Sequence, residues 1–269
     1  MRAFALLLAL AASATEPSNR TAVITGASSG IGRALAIEAA ARGYAVVLAD
    51  KDPKGSEEAA AEIRKKGGQA LVVRADVALE ADRAALLAAS TGAFGAVDLL
   101  VNNAGYGYLA TTEHLALEES RKMFEVNYFA MVDLSRRALG LMKKPRGGTV
   151  MNVSSVLGLT TALPESAQYA ATKHAVIGWA RSAEREFKRA GVTLKVVCPA
   201  GTKTKFFDHA VGPDVASVRD QLGDAWEDFD TAPKVAKDIL DGASAPGLYI
   251  FPGKAKEILP AELVKLLTE

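Results

Sequence analysis

Tyr169 and Lys173 stand four residues apart in a stretch, Glu165 to Arg189, whose pattern predicts a helix. At that spacing both side chains leave one helical face. A phenol ordinarily titrates near pH 10. A cation about 4 Å away, at an effective dielectric of about 20, favours its anion by about 4 kcal/mol and brings it toward neutrality. Such a phenol is a general acid for a carbonyl oxygen or a general base for an alcohol. The plain alternative for Tyr-x-x-x-Lys is a packed tyrosine beside a solvated lysine, so the pair draws its weight from the rest of the chain.

A second candidate site is Thr25-Gly26-Ala27-Ser28-Ser29-Gly30-Ile31-Gly32, which follows an apolar run and opens a helical pattern. Glycines there tolerate positive φ and let the backbone approach a pyrophosphate, while a helix N-terminus favours the anion. Gly26, Ser28, Ser29, Gly30, Ile31 and Gly32 form this expected cradle. Asp50 ends the next apolar run eighteen residues after Gly32, where a carboxylate accepts hydrogen bonds from an adenosine ribose. That favours NAD. The 2′-phosphate of NADP would meet a like charge, which the nearby Arg33 and Lys51 partly offset, so NADP stays open as the alternative. Asp76 and Val77 are placed to flank an adenine ring, and the small residues of Asn102-Asn103-Ala104-Gly105 let a cofactor lie against the edge of a sheet.

These groups need a scaffold, and the chain supplies one rhythm from Thr21 onward: apolar runs alternating with amphipathic stretches. Strands are predicted at Ala22 to Thr25, Ala45 to Ala49, Ala70 to Arg74, Leu99 to Asn102, Thr149 to Val153, Thr193 to Val197 and Leu248 to Phe251. Helices are predicted at Ile31 to Ala41, Gly55 to Lys66 and Glu165 to Arg189. Continuous runs such as Val46-Val47-Leu48 suit parallel strands covered on both faces. The fold class is therefore α/β, a Rossmann-type doubly wound parallel sheet of seven strands in a single domain over residues 20–269. Lys205 to Thr231 is the least regular part.

Taken together and in order, these strings resemble the short-chain dehydrogenase/reductase family. The matching pieces are Thr25 to Gly32, Asp50, Asp76-Val77, Asn102 to Gly105, Val126-Asn127-Tyr128, Asn152-Val153-Ser154-Ser155, Tyr169-Ala170-Ala171-Thr172-Lys173 and Cys198-Pro199-Ala200-Gly201-Thr202-Lys203-Thr204. The resemblance covers residues 20–204. It implies Tyr169 as acid/base, Lys173 lowering the phenol's pKa and gripping the ribose, Ser155 polarising the substrate oxygen and Asn127 holding a relay water. It also implies that Asn103, Ala104, Gly105, Tyr169, Lys173, Pro199, Thr202 and Thr204 join the cofactor site. A lid over residues 205–231 and a homodimer or homotetramer complete what the family suggests. Two positions depart from its pattern. Ser155 lies fourteen residues before Tyr169, one more than usual, which displaces Ser154 or Ser155 unless the loop absorbs the extra residue. Ala200 follows Pro199 where the family more often has glycine.

The expected activity is hydride transfer between NAD and a secondary alcohol or ketone. The alternatives are an NADP-dependent carbonyl reductase and a dinucleotide-binding sensor without turnover. Composition agrees with a globular enzyme: 49% of residues are apolar, and the formal net charge of +1 includes no basic block suited to nucleic acid. No metal is expected, because three scattered histidines and one cysteine offer no ligand spacing. Cys198 reads as a buried small hydrophobe. His174 and Trp179 read as packing residues, and Phe206, Phe207 and His209 as either pocket walls or surface cover. Residues 1–19 form a leader in which Arg2, the apolar run Ala3 to Ala12 and Ala12-Ser13-Ala14 read equally as a short secretory signal or a loosely packed segment. The compartment follows from that choice, cytoplasmic or an organelle lumen such as the ER. No stretch reaches the roughly eighteen apolar residues of a transmembrane span.

Overall fold

Apolar runs covered on both faces pair as parallel strands. The computed structural model describes residues 20–142, 145, 147–160 and 163–268, and the leader lies outside the described residues. In chain order the elements are β1 (Thr21–Thr25), α1 (Gly30–Ala41), β2 (Ala45–Asp50), α2 (Pro53–Lys65), β3 (Ala70–Arg74), α3 (Glu80–Phe94), β4 (Leu99–Asn102) and α4 (Leu117–Phe124). A π-helical turn, Glu125–Phe129, joins α4 to α5 (Ala130–Met142). Then come β5 (Gly148–Val153), α6 (Ala167–Ala190), β6 (Val192–Val197), β7 (Thr202–Lys203), α7 (Phe206–His209), α8 (Val215–Leu222), β8 (Asp230–Thr231), α9 (Ala232–Asp241) and β9 (Tyr249–Ile250). Two short C-terminal helices, α10 (Ala255–Ile258) and α11 (Ala261–Thr268), follow.

Seven strands form one sheet in the order β3-β2-β1-β4-β5-β6-β9, and every pair in it is parallel. The chain winds outward from β1 to β3 and then restarts at β4 on β1's other side. The order therefore reverses between β1 and β4, which opens a crevice at the carboxyl ends of those strands. Strand alternation divides the core. Val23, Val47, Leu100, Val150 and Val196 point to the layer that holds Leu86, Leu134 and Phe187. Their neighbours Ile24, Leu48, Val101, Met151 and Val197 point to the layer of Leu35, Ile63 and Ile239.

Two expectations are corrected. The helix expected from Glu165 begins at Ala167, because Glu165 takes φ 50 and its carbonyl accepts the Ala110 N–H at 2.9 Å. A side chain at positive φ is costly, so this residue turns the chain instead of extending the helix. Residues 205–231 are also more regular than their pattern implies: α7, α8 and a 3-10 turn lie there, and β8 pairs with β7 as a separate two-stranded parallel ladder. Two-residue strands have no periodicity to read.

One contact outside every motif helps hold the cofactor-side turn. Gly55, in the first turn of α2, lies against the Ser28 carbonyl so closely that a Cβ there would overlap it. Gly55→Ala should lower stability by about 1–3 kcal/mol, the usual cost of overpacking, read as a reduced Tm; an unchanged Tm would show that α2 shifts freely.

Candidate active site

The turn between β1 and α1 is built around absent side chains. Gly26 and Gly30 hold φ 67 and 55, in the left-handed region, and a Cβ on Gly32 would overlap the Gly26 carbonyl. Asn103 braces this turn by donating Nδ2–H to the Thr25 carbonyl at 2.9 Å and the Gly26 carbonyl at 3.3 Å. The Thr25 hydroxyl in turn accepts the N–H groups of Asn103 and Ala104, each at 3.0 Å. Ser29 stands at the N-cap of α1 with no side-chain cap bond. The first N–H groups of a helix have no intrahelical partner, so this end suits an anion such as a pyrophosphate. The residues present thus fit a dinucleotide.

Asp50, at the end of β2, accepts the Ser28 N–H at 3.1 Å and the Asp52 N–H at 3.0 Å. Its carboxylate is fixed beside the turn. Arg33 is paired, with Nη2 at 3.2 Å from Glu62, and both line the cavity beside Ser28 and Ser29. On the far side, the Asp76 N–H donates to Asp82 at 2.8 Å and the Asp76 carboxylate accepts the Ala78 N–H at 3.0 Å. The Val77 carbonyl accepts from buried Arg83 at 2.7 Å, and Arg83 also pairs with Asp133 at 2.9 Å. Burial raises the Asp133 carboxyl, but hydrogen bonds from Arg137, Arg136 and Arg83 outweigh it and hold the group at about 2.

The residues expected to do chemistry meet where α6 passes the end of β5. Tyr169, Lys173, Ser154, Asn103, Gly105 and Pro199 line a cavity of about 140 Å³ together with Ser29, Gly30, Ile31 and Thr204. Of the two serines, Ser155 is the one whose side chain neighbours the Tyr169 phenol. Ser154 is spent on structure, donating to the Lys173 carbonyl at 2.9 Å. Asn127 lies in the π-helical turn; its side chain accepts the Tyr106 N–H at 3.1 Å and donates to the Tyr106 carbonyl at 3.0 Å and to Thr172 at 3.2 Å. Such turns open the ladder of i→i−4 bonds and recur at functional sites. The Thr202 hydroxyl donates to the Ala200 carbonyl at 3.0 Å, and Thr204 packs on Gly30.

Lys173 differs from its expected placement. Its Nζ donates to the Val153 carbonyl at 3.0 Å and lies 5.5 Å from the centre of the Tyr169 ring. The cation therefore addresses the ring face and a carbonyl. Burial pushes the Tyr169 phenol above its ordinary range, opposed by the neighbouring Ser155 hydroxyl. Burial also lowers the Lys173 ammonium to about 8. Cys198 is fully buried and its thiol is pushed up to about 12 by that burial, which agrees with a packing residue. His174 Nδ1 stands 2.9 Å from the Ala170 carbonyl, and Trp179 packs edge-on against Phe187.

Residues 20–212 match the family model of the short chain dehydrogenases. The chain belongs to that family. As a short-chain dehydrogenase it is an oxidoreductase that works with a nicotinamide cofactor on CH–OH or ketone groups. A diacetyl reductase of Staphylococcus epidermidis that forms (S)-acetoin is 30% identical over 222 residues, covering 81% of this chain and 86% of the relative. A 3beta-hydroxysteroid dehydrogenase of Mediterraneibacter gnavus is 36% identical over 183 residues, covering 68% and 66%. Among solved structures, a short-chain dehydrogenase/reductase from Burkholderia phymatum in complex with NAD superposes with TM-score 0.82 at 29% identity, covering 95% and 97%. A short-chain dehydrogenase from Burkholderia cenocepacia in complex with NADP reaches 0.76 at 26%, covering 88% and 97%. Among the described residues no helix is long and apolar enough to cross a membrane, and no cluster of three or more His, Cys, Asp or Glu residues is placed to hold a metal.

Sequence reasoning gave no role to Thr25, Tyr106, Thr172 and Gly55, whose parts are set by contacts with distant segments that no spacing announces. Burying an ammonium also has a consequence for stability. Lys173 holds its proton less tightly folded than unfolded, so between about pH 8, its folded value, and the ordinary 10.5 the unfolded chain binds more protons and stability rises with pH. The raised Tyr169 works oppositely only above its ordinary 10.0. Denaturant titrations from pH 8 to 10 should therefore show a gain for wild type relative to Lys173→Met; parallel profiles would place the ammonium in contact with solvent.

Proposed function

We propose that this short-chain dehydrogenase interconverts a secondary alcohol and a ketone with NAD as preferred cofactor, and that Tyr169 carries the proton. The placement of Tyr169 and Lys173 in the cavity that reaches the glycine turn, with Ser155 beside the phenol, supports this reading. In oxidation the carbinol C–H bond breaks with its electron pair moving to the cofactor, while the hydroxyl proton passes to Tyr169; reduction reverses both. Bound NAD supplies the hydride acceptor. Ser155 donates to the substrate oxygen, and Lys173 favours the phenolate and holds the cofactor ribose once the site opens to admit it. Asn127 presents its backbone from the π turn to a proton relay. Pro199, Thr202 and Thr204 close over the cofactor.

The preference for NAD rests on Asp50. Two backbone N–H groups hold its carboxylate beside the turn, where a 2′-phosphate would be repelled, and Arg33 is engaged by Glu62. Exposed Leu117, Phe129 and Leu141, along α4, the π turn and α5, support association of copies into a homo-oligomer.

At about 100 times its dissociation constant NAD should stabilise the protein by about 2.7 kcal/mol, read as a rise in Tm, and NADP at the same concentration should do less; Asp50→Ser should erase the difference. Tyr169→Phe should lower kcat by about 10²–10⁴ while leaving cofactor affinity nearly unchanged. Turnover untouched by that change would refute Tyr169 as the acid/base. Cofactor binding without turnover on a broad panel of secondary alcohols and ketones would favour the sensor.

A further inference from the structure

The cavity at Tyr169 is small for its work. Its volume of about 140 Å³ falls below the roughly 300–1,000 Å³ of small-ligand pockets. Phe206, the first residue of α7, forms one wall of it. Its ring stands edge-on to the Tyr169 ring at 5.4 Å, and its Cζ lies 2.8 Å from where a Cβ on Gly107 would stand. Only glycine at 107 lets the ring lie so deep. Behind Phe206 an aromatic chain continues to Phe207 at 5.5 Å, Trp226 at 6.2 Å and Phe229 at 5.3 Å. Phe229 fills the space beside Gly201 that any side chain would need, and Lys203 pairs with Glu227 at 3.2 Å. The ring is thus held at the reacting group from behind by packing.

We propose that Phe206 is a specificity-determining gate. The ring swings off Tyr169 to admit ligands, and on return it stands against one substituent of the reacting carbon. The substrates that fit are compact aliphatic alcohols and ketones; a phenyl substituent competes with Phe206 for its place. This inference rests on the alcohol–ketone reading above and names the substrate class for it.

The test compares wild type, Phe206→Ala and Phe206→Leu, each checked for unchanged secondary structure and NADH binding. Rates with butan-2-one and propiophenone are measured alongside the rate at which acetic anhydride modifies Lys173, mapped by peptide mass spectrometry. Wild type should favour butan-2-one. Phe206→Ala should move the kcat/KM ratio toward propiophenone by at least about tenfold, the scale of a hydrophobic-pocket contact, with Phe206→Leu between. Lys173, buried against Tyr169 in the cavity that Phe206 also lines, should be modified several-fold faster in Phe206→Ala. A ratio unchanged in both variants overturns Phe206 as the selector, and unchanged Lys173 modification overturns it as the gate. If neither ketone nor the corresponding alcohol reacts with any of the proteins although NADH binds, the oxidoreductase reading fails. Protection then decides Phe206: with NADH present, propiophenone should shield Lys173 in Phe206→Ala and not in wild type, and equal shielding overturns the proposal.

Discussion

The close approach of the β1–α1 turn to the end of β4 is the constraint on which the site depends. Gly32 leaves room for the Gly26 carbonyl, and Asn103 reaches across from β4 to that same carbonyl. The approach is available only because the strand order reverses between β1 and β4, which leaves no crossover helix between the two carboxyl ends. A side chain at Gly32 would push α1 off the sheet and lose the cradle with it.

From that point the site is assembled by packing more than by its own polar groups. The carboxyl ends of β4 and β5 are joined by a buried cluster in which Asn102 donates to Asn152 at 2.9 Å and to Ser135 at 3.0 Å. This fixes the height of Asn103 on one strand and of Ser154 and Ser155 on the next. Helix α6 is then held against β5 by Ser154 and by the Lys173 ammonium on the Val153 carbonyl. Both anchors are short and buried, so the i, i+4 pair of Tyr169 and Lys173 is presented with little freedom. The cost is a charged group out of water, visible in the lowered Lys173 pKa.

The closed arrangement also separates two states of one site. With Phe206 on Tyr169, burial holds the phenol protonated and the ammonium approaches the ring face, not the oxygen. A phenol made acidic by its lysine requires that the cover move and the ammonium be redirected. The aromatic chain through Phe207, Trp226 and Phe229 links that movement to residues 205–231, where ring packing and the short β7–β8 ladder tie α7 and the 3-10 turn to the edge of the site.

Much of this was legible in the residues alone. Continuous apolar runs imply parallel strands, glycines at 26, 30 and 32 imply a phosphate turn, and Tyr169 with Lys173 implies a shared helical face; each rests on local sterics or on the fixed period of a helix or strand. The β3, β4 and sheet-edge assignments fell within a residue or two for that reason. Glu165 misled because helical patterning is blind to a positive φ, and residues 205–231 misled because aromatic packing has no period. Which serine meets Tyr169, where the Lys173 ammonium goes, that Arg33 belongs to Glu62 and that Phe206 covers the site are decided only in three dimensions. Each depends on groups brought together from distant parts of the chain, and spacing along a sequence carries no information about which of two neighbouring side chains faces a partner on another element.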